Sequence, residues 1–190
     1  MERLLDPKKT ALVVIDLQKW LGKQYAPYSA EQVISNAADL ADTFREQGSL
    51  VMIVRVSSKD MKDIPNPKLD IAPPMLNLPN GWDQIVPEMR VRDTDHIITK
   101  KQWGAFYGTE LDLQLRRRGI DTIVLCGIAT GLGVDTTARE AFMHGYNLIF
   151  AIDAMTGFTQ AEHDHVKNFI FPRIGRIRST EEIISAIQES

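Results

Sequence analysis

Residues 125–141, LCGIATGLGVDTTAREA, decide how this chain folds. They read as the end of a buried apolar strand (Thr122 to Gly127), a tight turn of small residues, and a helix starting at about Val134. A helix N-terminus presents unpaired backbone N–H groups and a partial positive charge, so the turn is suited to hold an anion or an oxyanion. Within that turn stands Gly133, which has no side chain to offer chemistry of its own.

Outward from this segment, apolar runs alternate with amphipathic ones. Strands are expected at Ala11–Asp16, Leu50–Val56, His96–Lys100, Thr122–Cys126, Asn147–Ile152 and Arg176–Arg178. Helices are expected at Ala30–Gln47, Thr109–Arg118, Val134–His144, Ala161–Ile170 and Thr180–Gln188, the last opened by Ser179 or Thr180 with Glu182 close behind. Continuous apolar strands separated by helices indicate an α/β fold with a parallel sheet covered on both faces. No repeat or linker interrupts residues 1–190, which read as a single domain. The exception to the alternation is Ser57–Met89, which carries six prolines and few strand or helix signals. A loop of that length is expected to be a lid or a substrate-recognition insertion.

Composition excludes several classes. The formal net charge of −3 and the scatter of Lys and Arg argue against a nucleic-acid partner. The one basic run, Arg116-Arg117-Arg118, closes a predicted helix and complements its dipole. A single cysteine fits a reducing, cytoplasmic setting, and no apolar stretch or leader pattern points to a membrane. Neither a dinucleotide-binding nor a P-loop glycine pattern is present. The four histidines are scattered, so neither a metal nor a cofactor is expected.

Asp16, Lys100 and the Gly127–Gly133 turn all fall at C-terminal ends of predicted strands, where the ligand crevice of an open parallel sheet lies. Taken singly, Asp16 reads better as a helix or turn cap and Lys100 as a solvated strand end. Together they place an acid beside a cation, and the balance between burial and the ammonium decides whether Asp16 acts as acid or base. Cys126, inside the apolar strand, reads as a packing residue. Trp20, Trp103, Phe106 and Tyr107 flank the crevice; Trp103 and Phe106 read as pocket lining or as plain core.

Three blocks carry a resemblance. ALVVIDLQ (11–18), IITK (97–100) with WGAFYGT (103–109), and GIAT (127–130) followed at Gly145–Ala154 by a strand ending in Asp153-Ala154 occur in the order found in the isochorismatase-like (cysteine hydrolase) family. The resemblance implies a three-layer α/β/α domain with a six-stranded parallel sheet in the order 3-2-1-4-5-6. It implies catalytic positions at Asp16, Lys100 and Gly133, the last standing where the family's nucleophilic cysteine falls. Gln18, Trp103, Phe106, Ile128, Ala129 and Thr130 would contact substrate, and a cis Ile128–Ala129 peptide would aim backbone N–H groups at the crevice; an ordinary trans turn is the alternative. Without a thiol at position 133, amide hydrolysis through a thioester is excluded. True isochorismatases resemble this chain in having glycine there and are thought to protonate a vinyl ether with the aspartate. They differ in carrying an aromatic residue and a histidine where this chain has Ala129 and Gly131.

The expectation is therefore a hydrolase without a covalent cysteine, acting on a small anionic substrate through Asp16 and Lys100. Isochorismatase proper, releasing pyruvate, and a non-catalytic small-anion binder are the alternatives. A homodimer or homotetramer is expected, with the apolar, proline-rich Ile71–Trp82 segment as a contact surface.

Overall fold

The computed structural model describes residues 5–22, 24–71 and 78–189. Its centre is a six-stranded sheet in which every pairing is parallel, in the order β3-β2-β1-β4-β5-β6. In chain order the elements are β1 (Thr10–Ile15), α1 (Ala30–Glu46), β2 (Leu50–Val56), β3 (His96–Lys100), α2 (Leu111–Arg117), β4 (Thr122–Ile128), α3 (Asp135–Met143), β5 (Asn147–Thr156), α4 (Gln160–His165), α5 (Phe171–Ile174), β6 (Arg176–Arg178) and α6 (Thr180–Gln188). This is the layered sheet and strand order expected from the sequence.

The strands are apolar without interruption because the sheet is covered twice. Side chains alternate along a strand, so Leu12 and Val14 of β1 pack toward α1 and α6 with Val33, Leu40, Phe44 and Ile183. Ala11, Val13 and Ile15 pack the other way, with Leu111 and Leu115 of α2 and Ala138 of α3. Cys126 is fully buried in the first of these layers, and burial pushes its thiol far above the usual range.

Several boundaries differ from expectation for local reasons. β4 and β5 run on to Ile128 and Thr156, with an irregularity in their pairing between Leu125 and Gly127. The expected helix 161–170 is α4 followed by a π-turn at Val166–Ile170 and then α5, with Pro172 in the first turn of α5. Thr109 precedes α2 rather than joining it: its hydroxyl donates to the Ala105 carbonyl (2.6 Å) and accepts from the Leu111 N–H (3.1 Å). At α6 the capping box is built by Ser179 and Glu182, not by Thr180. Of the segment Ile71–Trp82, residues 72–77, including Pro73 and Pro74, lie outside the described residues. Among the described residues no helix is long and apolar enough to cross a membrane.

Gly127 sets how closely β4 approaches the end of β1. Its φ is 117°, and a Cβ there would lie 2.1 Å from the Ile15 carbonyl oxygen. Gly127→Ala is expected to destabilise the protein by about 3 kcal/mol or more, through forced backbone displacement and a left-handed conformation alanine resists. Urea unfolding checks this; a midpoint equal to wild type would refute the close approach.

Candidate active site

β1 and β3 are separated by β2, so their axes lie about 10 Å apart. Lys100, the last residue of β3, spans that gap with its long side chain: its Nζ lies 2.7 Å from Oδ2 of Asp16, the residue that follows β1. The ammonium also donates to the Trp103 carbonyl (2.6 Å), and Lys100 is 1% exposed. Asp16 sits at φ 53°, a left-handed conformation that turns the chain out of the strand. Its backbone N–H donates to the Val54 carbonyl at 3.0 Å.

Burial and the ammonium act on Asp16 in opposite senses, and burial is the larger effect. The carboxyl pKa is pushed up to about 6, with the Coulombic attraction and hydrogen bond of Lys100 pulling the other way. Oδ2 is held by Lys100, whereas Oδ1 is buried without a hydrogen-bond partner among the described residues. A buried carboxylate oxygen left in this state is a group waiting for a ligand or a proton.

Asp16, Lys100 and Gly133 meet at the floor of a cavity of about 230 Å³. Gly133 is oriented so that a Cβ built on it would lie 3.1 Å from Lys100 Nζ and 3.2 Å from Asp16 Oδ2. Ile128, Ala129 and Trp103 line the cavity too, and the Ile128–Ala129 peptide is cis. The turn at Thr130–Val134 is a single π-type turn leading directly into α3.

Three of the expected substrate contacts lie elsewhere. Phe106 is core: it is 6% exposed and stacks on His144 (5.0 Å) beside Tyr146, because the turn after β3 folds back under α3. Gln18 is fully buried and completes the end of β2, its amide accepting from Val56 N–H (2.8 Å) and donating to Val56 carbonyl (2.9 Å). Thr130 is fully buried and bonds His163 Nδ1 at 2.9 Å, which ties the turn to α4; burial holds the His163 pKa below its usual value. Tyr107 is exposed on the surface and is not part of the cavity wall.

Sequence reasoning missed much of the wall. Trp82, Met61, Ile64 and Leu78 come from the described parts of the proline-rich insertion, 57–71 and 78–86, the segment expected to be a lid or substrate-recognition loop. Its feet are tied down by Ser57 to Asp83 (2.7 Å), Lys19 to Gln84 (2.6 Å) and a bridge between Gln18 and Ile85. Phe158, two residues beyond β5, had a legible signal, since that strand ends on the same edge of the sheet as β1 and β4. Thr137 and Glu140 of α3 carry a second, hidden tie. Thr137 Oγ1 donates to the Gly133 carbonyl (2.6 Å) and accepts from Ala105 N–H (3.2 Å), while the Glu140 carboxylate accepts from Phe106 N–H (3.0 Å). α3 thereby fixes both Gly133 and the turn whose Trp103 carbonyl orients Lys100.

The Isochorismatase domain family matches residues 10–182. The chain is 49% identical over 187 residues to the isochorismatase family protein YwoC of Bacillus subtilis, covering 97% of each. It is 48% identical to YecD of Escherichia coli O157:H7, covering 96% of this chain and 98% of that one. A solved isochorismatase family protein from Burkholderia thailandensis superposes with a TM-score of 0.91 at 38% identity, covering 98% of both chains. This chain belongs to the isochorismatase family of hydrolases. More distant likenesses include enterobactin synthase component B of Escherichia coli K12, 26% identical and matched over 64% of its length. N-carbamoylsarcosine amidase of Thermoplasma acidophilum is also 26% identical, with a TM-score of 0.73 over 92% of this chain.

For this isochorismatase-family chain the charges of the cavity bear on the anionic substrate expected above. Among the described residues its wall carries two cations. Lys100 is engaged by Asp16, and Lys101 by Asp63 (2.8 Å) and the Ser57 carbonyl. No group of three His, Cys, Asp or Glu that could hold a metal occurs among the described residues.

The ion pair yields a direct test. Removing the ammonium removes the only influence on Asp16 that lowers its pKa. In Lys100→Met the Asp16 carboxyl is expected to titrate above 6, followed by the carboxyl ¹³C shift. A midpoint at or below 6 would show that Lys100 does not set the charge state of Asp16.

Proposed function

We propose that this protein hydrolyses a small molecule by direct acid–base chemistry at Asp16, without a covalent enzyme intermediate. The observation that carries the reading is the state of Asp16. It is a buried carboxyl raised to about 6, with one oxygen anchored by Lys100 and the other unpartnered in a residue of the cavity wall. Such a group is a competent proton donor near neutral pH.

Protonated Asp16 gives its proton to a substrate atom, producing a cation that water captures. The resulting carboxylate then takes the proton released by that water, which restores Asp16. The adduct next breaks its original carbon–oxygen bond, its hydroxyl proton passing to the departing oxygen, so that a carbonyl compound and an alcohol leave. Enol ethers are the first class that fits, because protonation at carbon leaves an oxocarbenium ion. Lys100 holds Oδ2 throughout, so the proton moves at Oδ1. The resemblance to cysteine-free family members supports this assignment, with Gly133 leaving room above the ion pair. Isochorismate itself is disfavoured, since it is a dianion and protonation of Asp16 frees one cation of the described wall, Lys100, while Lys101 stays paired with Asp63. A non-catalytic binder is disfavoured too, since binding alone gains nothing from a carboxyl held near 6. A homodimer or homotetramer is part of this proposal, and light scattering tests it: a monomer at micromolar concentration with activity intact would remove it.

Because the proton donor must be protonated in the free enzyme, kcat/KM is expected to be level below about pH 6 and to fall roughly tenfold per unit above it. Asp16→Asn is the cleanest variant, since asparagine tolerates the positive φ at this position. It is expected to lose about two to four orders of magnitude in kcat while retaining the wild-type circular dichroism spectrum. Iodoacetamide is expected to leave activity untouched, because Cys126 is fully buried. Kinetics on a panel of enol ethers, esters and amides read all three outcomes. Unchanged turnover in Asp16→Asn would show that the chemistry lies elsewhere.

A further inference from the structure

The cavity wall is selective in a way the ion pair alone does not explain. The chain contains three tryptophans, Trp20, Trp82 and Trp103, and all three line this one cavity, joined by Phe158. They come from four separate places in the sequence: after β1, inside the proline-rich insertion, after β3, and after β5. Phe158 is itself stacked on Tyr25 (5.7 Å), which steadies the ring. Aromatic surfaces converging from four segments suit a flat ring that can stack on them.

The unmet polar groups narrow the ligand further. Among the described residues two buried side-chain atoms have no hydrogen-bond partner, Asp16 Oδ1 and Trp20 Nε1, and both residues line the cavity. An indole N–H donates only, so it requires an acceptor. Leaving it buried and unpaired is unfavourable, and a ligand that supplies the acceptor removes that penalty. With Asp16 protonated, Lys100 is left as one uncompensated cation while Lys101 is held by Asp63, so a first negative charge on the ligand finds a counter-ion and a second would be buried without one.

We propose that the substrate is a flat ring compound, uncharged or at most singly charged, that accepts a hydrogen bond from the Trp20 indole, making Trp20 a specificity-determining residue. The proposal rests on the hydrolase reading only in taking this cavity as the substrate site. Trp20 selects by acceptor position, the other aromatic rings select by planarity, and the single uncompensated cation selects against dianions.

Tryptophan emission reports occupancy directly, because all three indoles border the cavity. The probes are benzamide (neutral, planar), benzoate (one charge), phthalate (two charges) and cyclohexanecarboxamide (neutral, not planar). Benzamide is expected to quench emission with a Kd on the order of 1 mM, as suits a fragment of its size. Benzoate is expected to bind comparably, and phthalate and cyclohexanecarboxamide at least about tenfold more weakly. Trp20→Phe keeps the ring and removes the donor; it is expected to weaken benzamide about tenfold, read by calorimetry so that the lost fluorophore does not matter. Phthalate or cyclohexanecarboxamide binding as tightly as benzamide would overturn the proposal. So would benzamide binding unchanged in Trp20→Phe, or no binding of benzamide to the wild-type protein at about 10 mM. Asp16→Asn separates this inference from the proposed chemistry. Selective benzamide binding with turnover unaffected by that substitution would sink the chemistry alone, whereas lost turnover with phthalate preferred would sink the substrate class alone.

Discussion

The contact between Lys100 and Asp16 is the constraint on which the site depends. It joins the outermost strand β3 to the central strand β1 across the end of β2, and only a side chain as long as lysine can do so. Because the pair is buried, its attraction is strong and its desolvation penalty is large. The two do not cancel at Asp16: burial dominates, and the carboxyl pKa is pushed up to about 6, well above that of an ordinary carboxylate. A surface pair of the same geometry would hold an ordinary carboxylate and supply no proton. The core that buries β1 on both faces is therefore also what raises the Asp16 carboxyl.

The surroundings of that pair hold it in place without touching Asp16 Oδ1. Gln18 fastens the end of β2 beside it, and Thr137 couples the Gly133 carbonyl to the turn after β3. The Trp103 carbonyl then takes a second bond from Lys100, so the ammonium cannot swing away. Polar ties thus accumulate behind the site, while the cavity wall is almost entirely apolar and aromatic. In such a wall each unpaired polar atom weighs heavily, since few polar groups are near enough to satisfy it. Selectivity follows from the same scarcity.

The fold was legible because its cause is local and repeated: apolar runs of strand length, separated by amphipathic helices, admit few arrangements besides a doubly covered parallel sheet. The strand order, and the roles expected of Asp16, Lys100 and Gly133, came from the family resemblance rather than from periodicity. What periodicity could not reveal was direction. Gln18, Thr130 and Phe106 sit in motif segments adjoining the site, yet their side chains turn inward to backbone, to His163 and to core. Residue type offered no warning, because a buried Gln or Thr satisfied by its own scaffold reads the same as one facing a ligand. Trp82 was hidden for a different reason. The insertion carries no periodic pattern, so only tertiary folding brings it over the strand ends.

Gly133 is where these themes meet. A Cβ at this position would stand 3.1 Å from Lys100 Nζ, 3.2 Å from Asp16 Oδ2 and 3.1 Å from the Ile15 Cγ2. Each is tighter than an ordinary van der Waals contact, and two of the three neighbours belong to the ion pair itself. Any side chain here must push the pair aside by a few tenths of an ångström, and the Trp103 carbonyl resists because it holds the same ammonium at 2.6 Å. The present geometry is thus fitted to glycine. A thiol introduced at position 133 would disturb the acid before it could serve as a nucleophile, so a change of chemistry at this site requires the turn after β3 to relax together with residue 133.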